Sequence, residues 1–494
     1  TVGRAALYDR SADKRILTGI GQAARNRDTG LSLGRSPAAE ALVCQILSTV
    51  QYPVVLDADG LNAVSAHIDR LDARKECPTI LTPHDGEFRR LGGELAGKDR
   101  LRAALDFAAD GAQGGIYFNN FPNNQPLMLL LAGLFRLLRA CGVTEEYELL
   151  VWGMRFGAVL LYLCAARLLG RRAGALALLL GAATAPFLLY APVYYTDTVT
   201  APIPIAILYC WLHLRAARRE GRPGRGPLAA VFVLGVLGTL LKVTVVIMVI
   251  AVVLDWMLSF PKLRERLAAL ALLAAVVAGV NAGSFAAAHS GAFRKAQPGD
   301  EIPKTHWIMM GLAGNGGYNN EDYVLTFSAP DGETRKALIR DEIAARLKEM
   351  GPAGLVRHAL DKIGYTWGEG TYYLPHKLAM GPTQPHSFWA EIFFEGRAHF
   401  SLFLRYANGL MLCMLLYLLA GALQKQSRDV LFAARLSVCG LFFFLLIWEA
   451  RSRYLVNYVP VLLLLFAAAA WGMAGRLPGW GCKQRGTGGE SMPG

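Results

Sequence analysis

Long apolar runs dominate this chain from about residue 126 onward, and they constrain its fold more than any other feature. A helix that crosses the hydrocarbon of a bilayer needs ~20 mostly apolar residues, because every backbone polar group must find its hydrogen bond inside the segment. Several runs reach that length, so this part of the chain is predicted to be an all-α membrane bundle. The candidate spans lie near residues 148–169, 174–192, 198–217, 227–258, 265–288, 401–422, 429–448 and 455–475.

The run over residues 227–258 is too long for one crossing and contains Lys242. An ionisable residue inside an apolar run is costly and usually functional. We expect two short helices that meet near this lysine. Dividing the run brings the expected number of transmembrane helices to about nine.

The formal net charge of +13 suggests a nucleic-acid partner at first. A nucleic-acid-binding protein gathers its Lys and Arg residues on one folded surface, whereas many of them here lie in short stretches between apolar runs. With a break at Lys242, these stretches fall on one side of the membrane, and an excess of positive charge marks that side as cytoplasmic. The pattern predicts a multi-pass protein of the cell membrane with no nucleic-acid partner.

Residues 290–400 are polar and rich in glycine and aromatic residues, which predicts an extracytoplasmic domain. Within it, residues 341–350 have the pattern of an amphipathic helix and residues 367–373 that of a tight aromatic turn. Three transmembrane helices are expected over residues 401–475. A basic, glycine-rich cytoplasmic tail is expected over residues 476–494.

The membrane region before that domain, residues 113–289, begins with an apolar segment at 126–140 that is too short to cross comfortably. Arg136 and Arg139 give this segment a polar side. A helix that lies in the membrane interface is therefore predicted there.

Several short patterns in the membrane part carry a family resemblance. The interfacial segment follows Phe121-Pro122-Asn123-Asn124, the first long run ends in Leu-Gly-Arg-Arg, and Tyr195-Thr196-Asp197 and Glu449–Tyr454 lie on the predicted outer side. Over most of residues 116–475 the chain resembles the polytopic lipid-linked-sugar glycosyltransferases, namely the dolichyl-phosphate-mannose-dependent protein mannosyltransferases and the bacterial aminoarabinose transferases. The resemblance implies a polyprenyl-phosphate sugar donor.

Such a donor needs cations near its phosphate and a carboxylate that activates the acceptor. Asp197 and Glu449 are the candidate catalytic acids, and Asp322 and Glu369 are further acids on the outer side. Alternatively, Asp197 caps the next helix. Arg451 and Arg453 could likewise serve only as interface anchors. The candidate residues for the donor phosphate are Lys242, Arg451, Arg453 and Tyr454.

One departure from that family concerns the start of the membrane part. The family's catalytic aspartate follows a first transmembrane helix, upstream of the interfacial helix. Residues 1–112 stand in place of that helix here.

Residues 30–110 alternate short apolar strands with helical stretches, which predicts a partial α/β segment over residues 1–112. One strand runs from Pro53 into the acidic turn Asp57–Asn62, and a second runs from Thr79 into Thr82-Pro83-His84. Together with Gly30–Ser36, these motifs resemble the ADP- or ATP-dependent NAD(P)H-hydrate dehydratases, which have a ribokinase-like fold. The resemblance implies ADP or ATP as cofactor and hydrated NAD(P)H as substrate.

The same resemblance implies a set of substrate-binding residues in two groups. The glycine-rich loop and the Thr-Pro-His segment would contact the hydrated dinucleotide, and the acidic turn would line the cleft at the strand ends. Alternatively, Asp57 and Asn62 only organise their turn. The residues are Gly30, Ser32, Gly34, Asp57, Asp59, Asn62, His84 and Glu87.

The family's Gly-Gly-Thr-Gly-Asp loop, which supplies its catalytic base, does not occur in this sequence. Three hypotheses therefore remain: a chimera of two incomplete enzymes impaired in both activities, an active membrane glycosyltransferase, and a membrane-tethered dehydratase. The charge pattern would place residues 1–112 outside the cell, whereas NAD(P)H and ADP are cytoplasmic, so the chimera is favoured. A transporter or scaffold is a fourth possibility, although no inverted repeat is evident. No metal site is predicted.

Overall fold

A computed structural model describes much of the chain and divides it into two compact units. Unit 1 comprises residues 1–143 and 286–301, and unit 2 comprises residues 144–285 and 302–494. The described residues are 37–49, 54–56, 59–65, 67, 71, 79–81, 91, 121–142, 147–191, 193, 195–293, 301–329, 331–379, 387–423 and 431–474.

Unit 1 contains a small α/β element. Its described parts are helix α1 (Pro37–Thr49), strand β1 (Val54–Leu56), helix α2 (Asp59–Val64) and strand β2 (Thr79–Leu81). The two strands pair in parallel, with the backbone of residue 54 opposite that of residue 79. Parallel strands require a crossover connection, so this pairing has the predicted α/β character.

A small apolar cluster accompanies these elements. Leu47 of α1 and Leu61 and Val64 of α2 are buried together with Leu91. The predicted interfacial helix is also present as helix α3 (Gln125–Ala140). Its location at a membrane interface remains a prediction.

Unit 2 is built from helices. In chain order they are α4 (Tyr147–Leu169), α5 (Arg171–Ala183), α6 (Ala185–Leu188), α7 (Thr196–Val199), α8 (Ile203–Arg219), α9 (Arg225–Leu241), α10 (Val245–Ser259), α11 (Leu263–Ala288, of which the last three residues fall in unit 1), α12 (Thr305–Gly311), α13 (Asn320–Ser328), α14 (Gly332–Trp367), α15 (Leu374–Leu378), α16 (Phe388–Phe393), α17 (Phe400–Leu423), α18 (Phe432–Ile447) and α19 (Val459–Ala474). A 3-10 turn, Ser452–Tyr458, precedes α19.

Among the described residues, five helical segments are long and apolar enough to cross a membrane. Three shorter apolar helices of unit 2, α9, α10 and α18, accompany them. The predicted helical membrane region is confirmed in this coarse form, and the number of nine crossings remains a prediction. The five segments are Val151–Leu169, Thr196–Arg219, Leu263–Ala288, Phe400–Leu423 and Ser452–Met473.

The predicted helix over residues 174–192 is wrong in its extent. Helix α5 ends at Ala183, and Thr184 leaves the helical conformation with φ −82° and ψ 62°. Pro186 then starts the short helix α6. At 1.5 Å per residue, the 13 residues of α5 are only about 20 Å long.

Helix α19 forms the centre of the bundle. Each residue from Val459 to Ala469 is buried, and the helix packs against α4, α5 and α17. A helix that is apolar on all sides is typical of a protein core or of a membrane span. Small residues permit close approach, and a side chain at Gly421 of α17 would lie only 3.0 Å from Ala469.

The predicted break at Lys242 is confirmed. Helix α9 ends at Leu241, Lys242 is extended with φ −152° and ψ 114°, and α10 begins at Val245. Because the chain turns back at this position, the lysine lies at the ends of two helices rather than within one.

The polar stretch between α11 and α17 contains helices α12 to α16, which are separated by turns. The predicted helix over residues 341–350 is part of the longer α14, whose backbone is kinked at Gly351 (φ 56°) before Pro352. The Asp331 side chain caps α14 by accepting the Glu333 and Thr334 amides, both at 2.9 Å. The side of the membrane on which this stretch lies remains a prediction.

Candidate anion-binding site

Asp197 and Lys242 form a buried ion pair. The Lys242 Nζ atom lies 2.7 Å from Asp197 Oδ1, and the aspartate side chain is fully buried. The other carboxylate oxygen, Oδ2, accepts no hydrogen bond from any described residue. A buried carboxylate requires compensating partners, so this oxygen is the unsatisfied position of the pair.

The helix-capping alternative for Asp197 does not match this geometry. The N-cap residue of α7 is Tyr195, and that of α8 is Pro202. Within the described chain, no backbone amide donates to the Asp197 carboxylate.

Tyr454 connects this pair to the segment before α19. Lys242 Nζ lies 4.3 Å from the centroid of the Tyr454 ring. The Tyr454 hydroxyl donates to Glu449 Oε2 at 2.6 Å and accepts from Arg453 Nη2 at 3.2 Å. Five of the six residues predicted for the membrane site are therefore connected by direct contacts.

Tyr195 lies between two cations. Arg453 Cζ is 4.9 Å and Lys377 Nζ is 4.5 Å from its ring centroid, which are cation–π distances. Burial, and next the charge of Arg453, lower the pKa of Lys377 to about 8. Sequence reasoning missed Lys377, because a lysine in a short polar segment has no distinguishing pattern.

Arg451, the sixth predicted residue, contacts a different tyrosine. Its Cζ atom lies 4.0 Å from the ring centroid of Tyr373, on which His376 stacks. The Nε atoms of Arg451 and of Arg453 are buried and donate to no described residue. Both arginines therefore retain donors that no described part of the protein uses.

The predicted aromatic turn over residues 367–373 supports this arginine. Tyr372 and Tyr373 both have positive φ, 55° and 62°, a conformation that costs ~1–3 kcal/mol for such residues and persists where the surroundings impose it. Glu369 imposes it by accepting the amide of Tyr373 at 3.1 Å and the hydroxyls of Thr371 and Ser452. Ser452 lies between Arg451 and Arg453 in the chain, so its hydrogen bond to Glu369 fixes the position of both arginines. Burial, the largest influence on this carboxyl group, raises its pKa.

Lys362 binds the chain immediately before Glu449. Its buried ammonium donates to the carbonyls of Gly311 and Trp448, each at 2.8 Å. The amide of Ala450 donates to the carbonyl of Gly316, also at 2.8 Å. The chain around Glu449 is thus fixed on both sides.

Asp322 lies outside this cluster. It accepts two hydrogen bonds from Arg346, at 2.5 and 2.8 Å, and Arg346 also donates to the carbonyl of Met309 at 2.7 Å. This ion pair connects α13 to α14.

Most residues of the predicted dehydratase site lie outside the described chain. These are Gly30, Ser32, Gly34, Asp57, His84 and Glu87. Asp59 starts α2 without a described side chain, and Asn62 is half-buried on the same helix. Their roles remain predictions.

Two family models match the chain. One, described as a conserved hypothetical integral membrane protein, matches residues 99–474. The other, described as NAD(P)H-hydrate dehydratase, matches residues 29–114. The matches overlap over residues 99–114, which lie where the sequence changes from mixed to apolar.

The curated relatives named here match the N-terminal region, and all are described as bifunctional NAD(P)H-hydrate repair enzymes Nnr. The protein of Salinibacter ruber is 45% identical over 104 residues, which are 20% of this chain and 19% of that protein. That of Gloeobacter violaceus is 44% identical over 71 residues, 14% of each chain, and that of Mycobacterium tuberculosis is 44% identical over 79 residues, 16% of each. The chain thus spans a fifth or less of the length of these relatives. No solved structure matches it.

Proposed function

The chain belongs to the family described as conserved hypothetical integral membrane protein, and from this premise we propose that its membrane region transfers a sugar from a polyprenyl-phosphate donor. One observation carries the proposal. A buried carboxylate with a free oxygen lies among cations held against tyrosine rings, at the ends of apolar helices.

The cations suit a lipid phosphate. Arg451 and Arg453 have buried donors without a described acceptor, and a guanidinium can bind two phosphate oxygens at once. Lys242 adds a compact charge near Arg453, since both lie against the Tyr454 ring. The neighbouring apolar helices offer a surface along which a polyprenyl chain could lie.

The chemistry requires one proton acceptor. The acceptor hydroxyl attacks the anomeric carbon, the bond from that carbon to the phosphate oxygen breaks, and the polyprenyl phosphate leaves with the bonding electron pair. The hydroxyl proton passes to a carboxylate, for which Asp197 is our candidate because its buried Oδ2 atom accepts from no described residue. Glu449, which accepts from Tyr454, is the second candidate. The cations stabilise the charge that develops on the leaving phosphate.

Binding and transfer can be tested separately. Full-length protein in lipid nanodiscs would be titrated with polyprenyl phosphate, and transfer would be followed with radiolabelled polyprenyl-phosphate sugars. We expect Arg453→Ala to weaken binding at least tenfold and Asp197→Asn to abolish transfer while binding persists. Arg397→Ala, which removes an arginine paired with Glu391 outside the cluster, is the control. Equal binding by Arg453→Ala and by this control would exclude the proposal.

For the N-terminal region we propose that it is an incomplete NAD(P)H-hydrate dehydratase, joined to the membrane protein in a chimera that lacks dehydratase activity. Its 45% identity to the Salinibacter ruber repair enzyme over 104 residues supports the origin. The missing Gly-Gly-Thr-Gly-Asp segment supports the impairment. The alternative is an active membrane-tethered dehydratase.

Two measurements decide between these readings. Amplification of source DNA from the codon of Asp99 to that of Trp152 would give one product if the joined gene exists. ADP- or ATP-dependent conversion of hydrated NADH by the full chain would contradict the impairment. We expect no conversion above that of a His84→Ala variant.

A further inference from the structure

Two adjacent aromatic residues are exposed on α16. Phe388 is 67% and Trp389 62% exposed. Their rings meet edge to face at 5.5 Å, and Trp389 stacks on Phe393 at 5.9 Å with an interplanar angle of 2°. Single exposed apolar residues need no explanation, but a contiguous apolar patch marks an interaction surface.

Hydrogen bonds and an ion pair tie down the turn that carries the patch. The Ser387 hydroxyl caps α16 by accepting the amide of Ala390 at 3.2 Å. Glu391 forms an ion pair with Arg397 at 3.2 Å, and its carbonyl accepts the amide of His399 at 3.0 Å. The chain between α16 and α17 is therefore tied into a closed turn, and the exposed rings do not depend on a loose loop for their position.

The patch continues onto an apolar spanning helix. Phe393 packs edge to face on the buried Phe403 of α17, with centroids 4.9 Å apart. The outer surface of α17 carries Leu402, Leu412 and Leu416, which are 56–69% exposed. This surface faces lipid if α17 crosses the membrane.

Arg405 indicates the depth of the patch in the bilayer. It is exposed on α17, and a charge on a lipid-facing helix surface belongs at the headgroups. Phe403 lies two residues earlier, a rise of about 3 Å. Helix α16, which packs there, is therefore at the same level, where tryptophan is enriched in membrane proteins.

We propose that α16 is an interfacial element whose Phe388 and Trp389 rings insert into the headgroup layer of the bilayer beside α17. The partner is the lipid surface, because the patch is continuous with the lipid-facing side of α17. The inference is independent of the proposed sugar transfer.

Depth-dependent fluorescence quenching tests this proposal. Full-length protein and a Trp389→Phe variant would be reconstituted in phosphatidylcholine vesicles that contain lipids with a nitroxide at carbon 5 or at carbon 16. The difference between the two proteins isolates Trp389. We expect the carbon-5 lipid to quench this difference signal at least twofold more than the carbon-16 lipid, and soluble acrylamide to quench it weakly.

Lipid crosslinking gives a second readout. A phospholipid with a photoreactive group near its headgroup should label residues 388–393 more than Val324, which is 44% exposed on α13. A Phe388→Ser/Trp389→Ser protein should lose the label yet retain its melting temperature. Full quenching by acrylamide without quenching by either lipid would overturn the proposal. Crosslinks from α16 to a second copy instead of lipid would overturn it in favour of self-association.

Discussion

Lys242 lies 2.7 Å from Asp197, although the two residues belong to separate parts of the chain, and neither is exposed to solvent by more than 12%. The pair joins the start of α7 to the break between α9 and α10. Removing one partner of a buried pair leaves the other as an uncompensated charge, which costs more than the pair itself contributes.

We therefore expect Asp197→Asn and Lys242→Met each to destabilise the protein by about 3 kcal/mol, and the double variant to be less destabilised than the sum. Thermal unfolding in detergent measures this. Lys336→Met is the matched control, because the exposed Lys336–Glu333 pair has the same 2.7 Å distance and such pairs contribute about 0–1 kcal/mol. Additive single effects would show that the two groups do not interact.

Lys362 should make stability depend on alkaline pH. Burial lowers its pKa from 10.5 to about 8. Between these values the unfolded chain holds a proton that the folded protein does not, so wild-type stability should rise with pH from 8 to 10.5 relative to Lys362→Met. At pH 7 the variant should be less stable by about 1–3 kcal/mol, since the Trp448 carbonyl loses the lysine as its donor. Unfolding of both proteins at pH 7 and pH 9.5 checks both statements, and parallel pH profiles would contradict the first.

His306 should make the stability of the protein depend on acidic pH. It is fully buried, with its Nδ1 atom 2.6 Å from the Thr326 hydroxyl, and burial lowers its pKa from 6.5 to about 4. As pH falls from 6.5 to 4, the unfolded chain gains a proton first, so stability should fall over this range. Hydrogen exchange of α12 and α13 measures the loss. His306→Gln, which keeps a polar side chain but cannot titrate, should show a smaller decrease, and an unchanged decrease would assign the effect to another group.

Helix α14 contains two glycines that can be compared, Gly351 at its kink and Gly364 in a regular part of the helix. Gly351 has φ +56°, whereas Gly364 continues the helix, and neither has an atom within 4 Å of an added Cβ. Because Gly351 also has ψ −176°, a combination that essentially only glycine adopts, Gly351→Ala should cost about 1–3 kcal/mol from backbone conformation alone. Gly364→Ala should stabilise the protein by about 0.5–1 kcal/mol. Thermal unfolding distinguishes them, and a stable Gly351→Ala protein would mean that α14 can straighten.

The helical framework was largely predictable from the sequence. Apolar length indicated most of the membrane helices, and the charge of Lys242 indicated where a run too long for one crossing had to divide. The end of α5 was missed because the apolar pattern continues through Thr184, whereas the backbone leaves the helix there before Pro186. Hydropathy does not register such a change of conformation.

The composition of the site was predictable only in part. Asp197, Lys242 and Arg453 were identifiable one by one, as ionisable residues at the edges of apolar runs. Their contacts were not, because packing of distant helices determines which side chains meet. The contact between Tyr195 and Lys377 depends on the turn at residues 372–373. The residue types in this turn do not predict its left-handed conformation.

The buried position of α19 has a consequence for biosynthesis. This helix follows every other described helix in the chain, yet α4, α5 and α17 pack around it. During translation the faces of those helices that will contact α19 stay uncovered until this segment has left the ribosome. A chain that stops before Val459 therefore cannot complete its core and exposes apolar surface that proteases recognise.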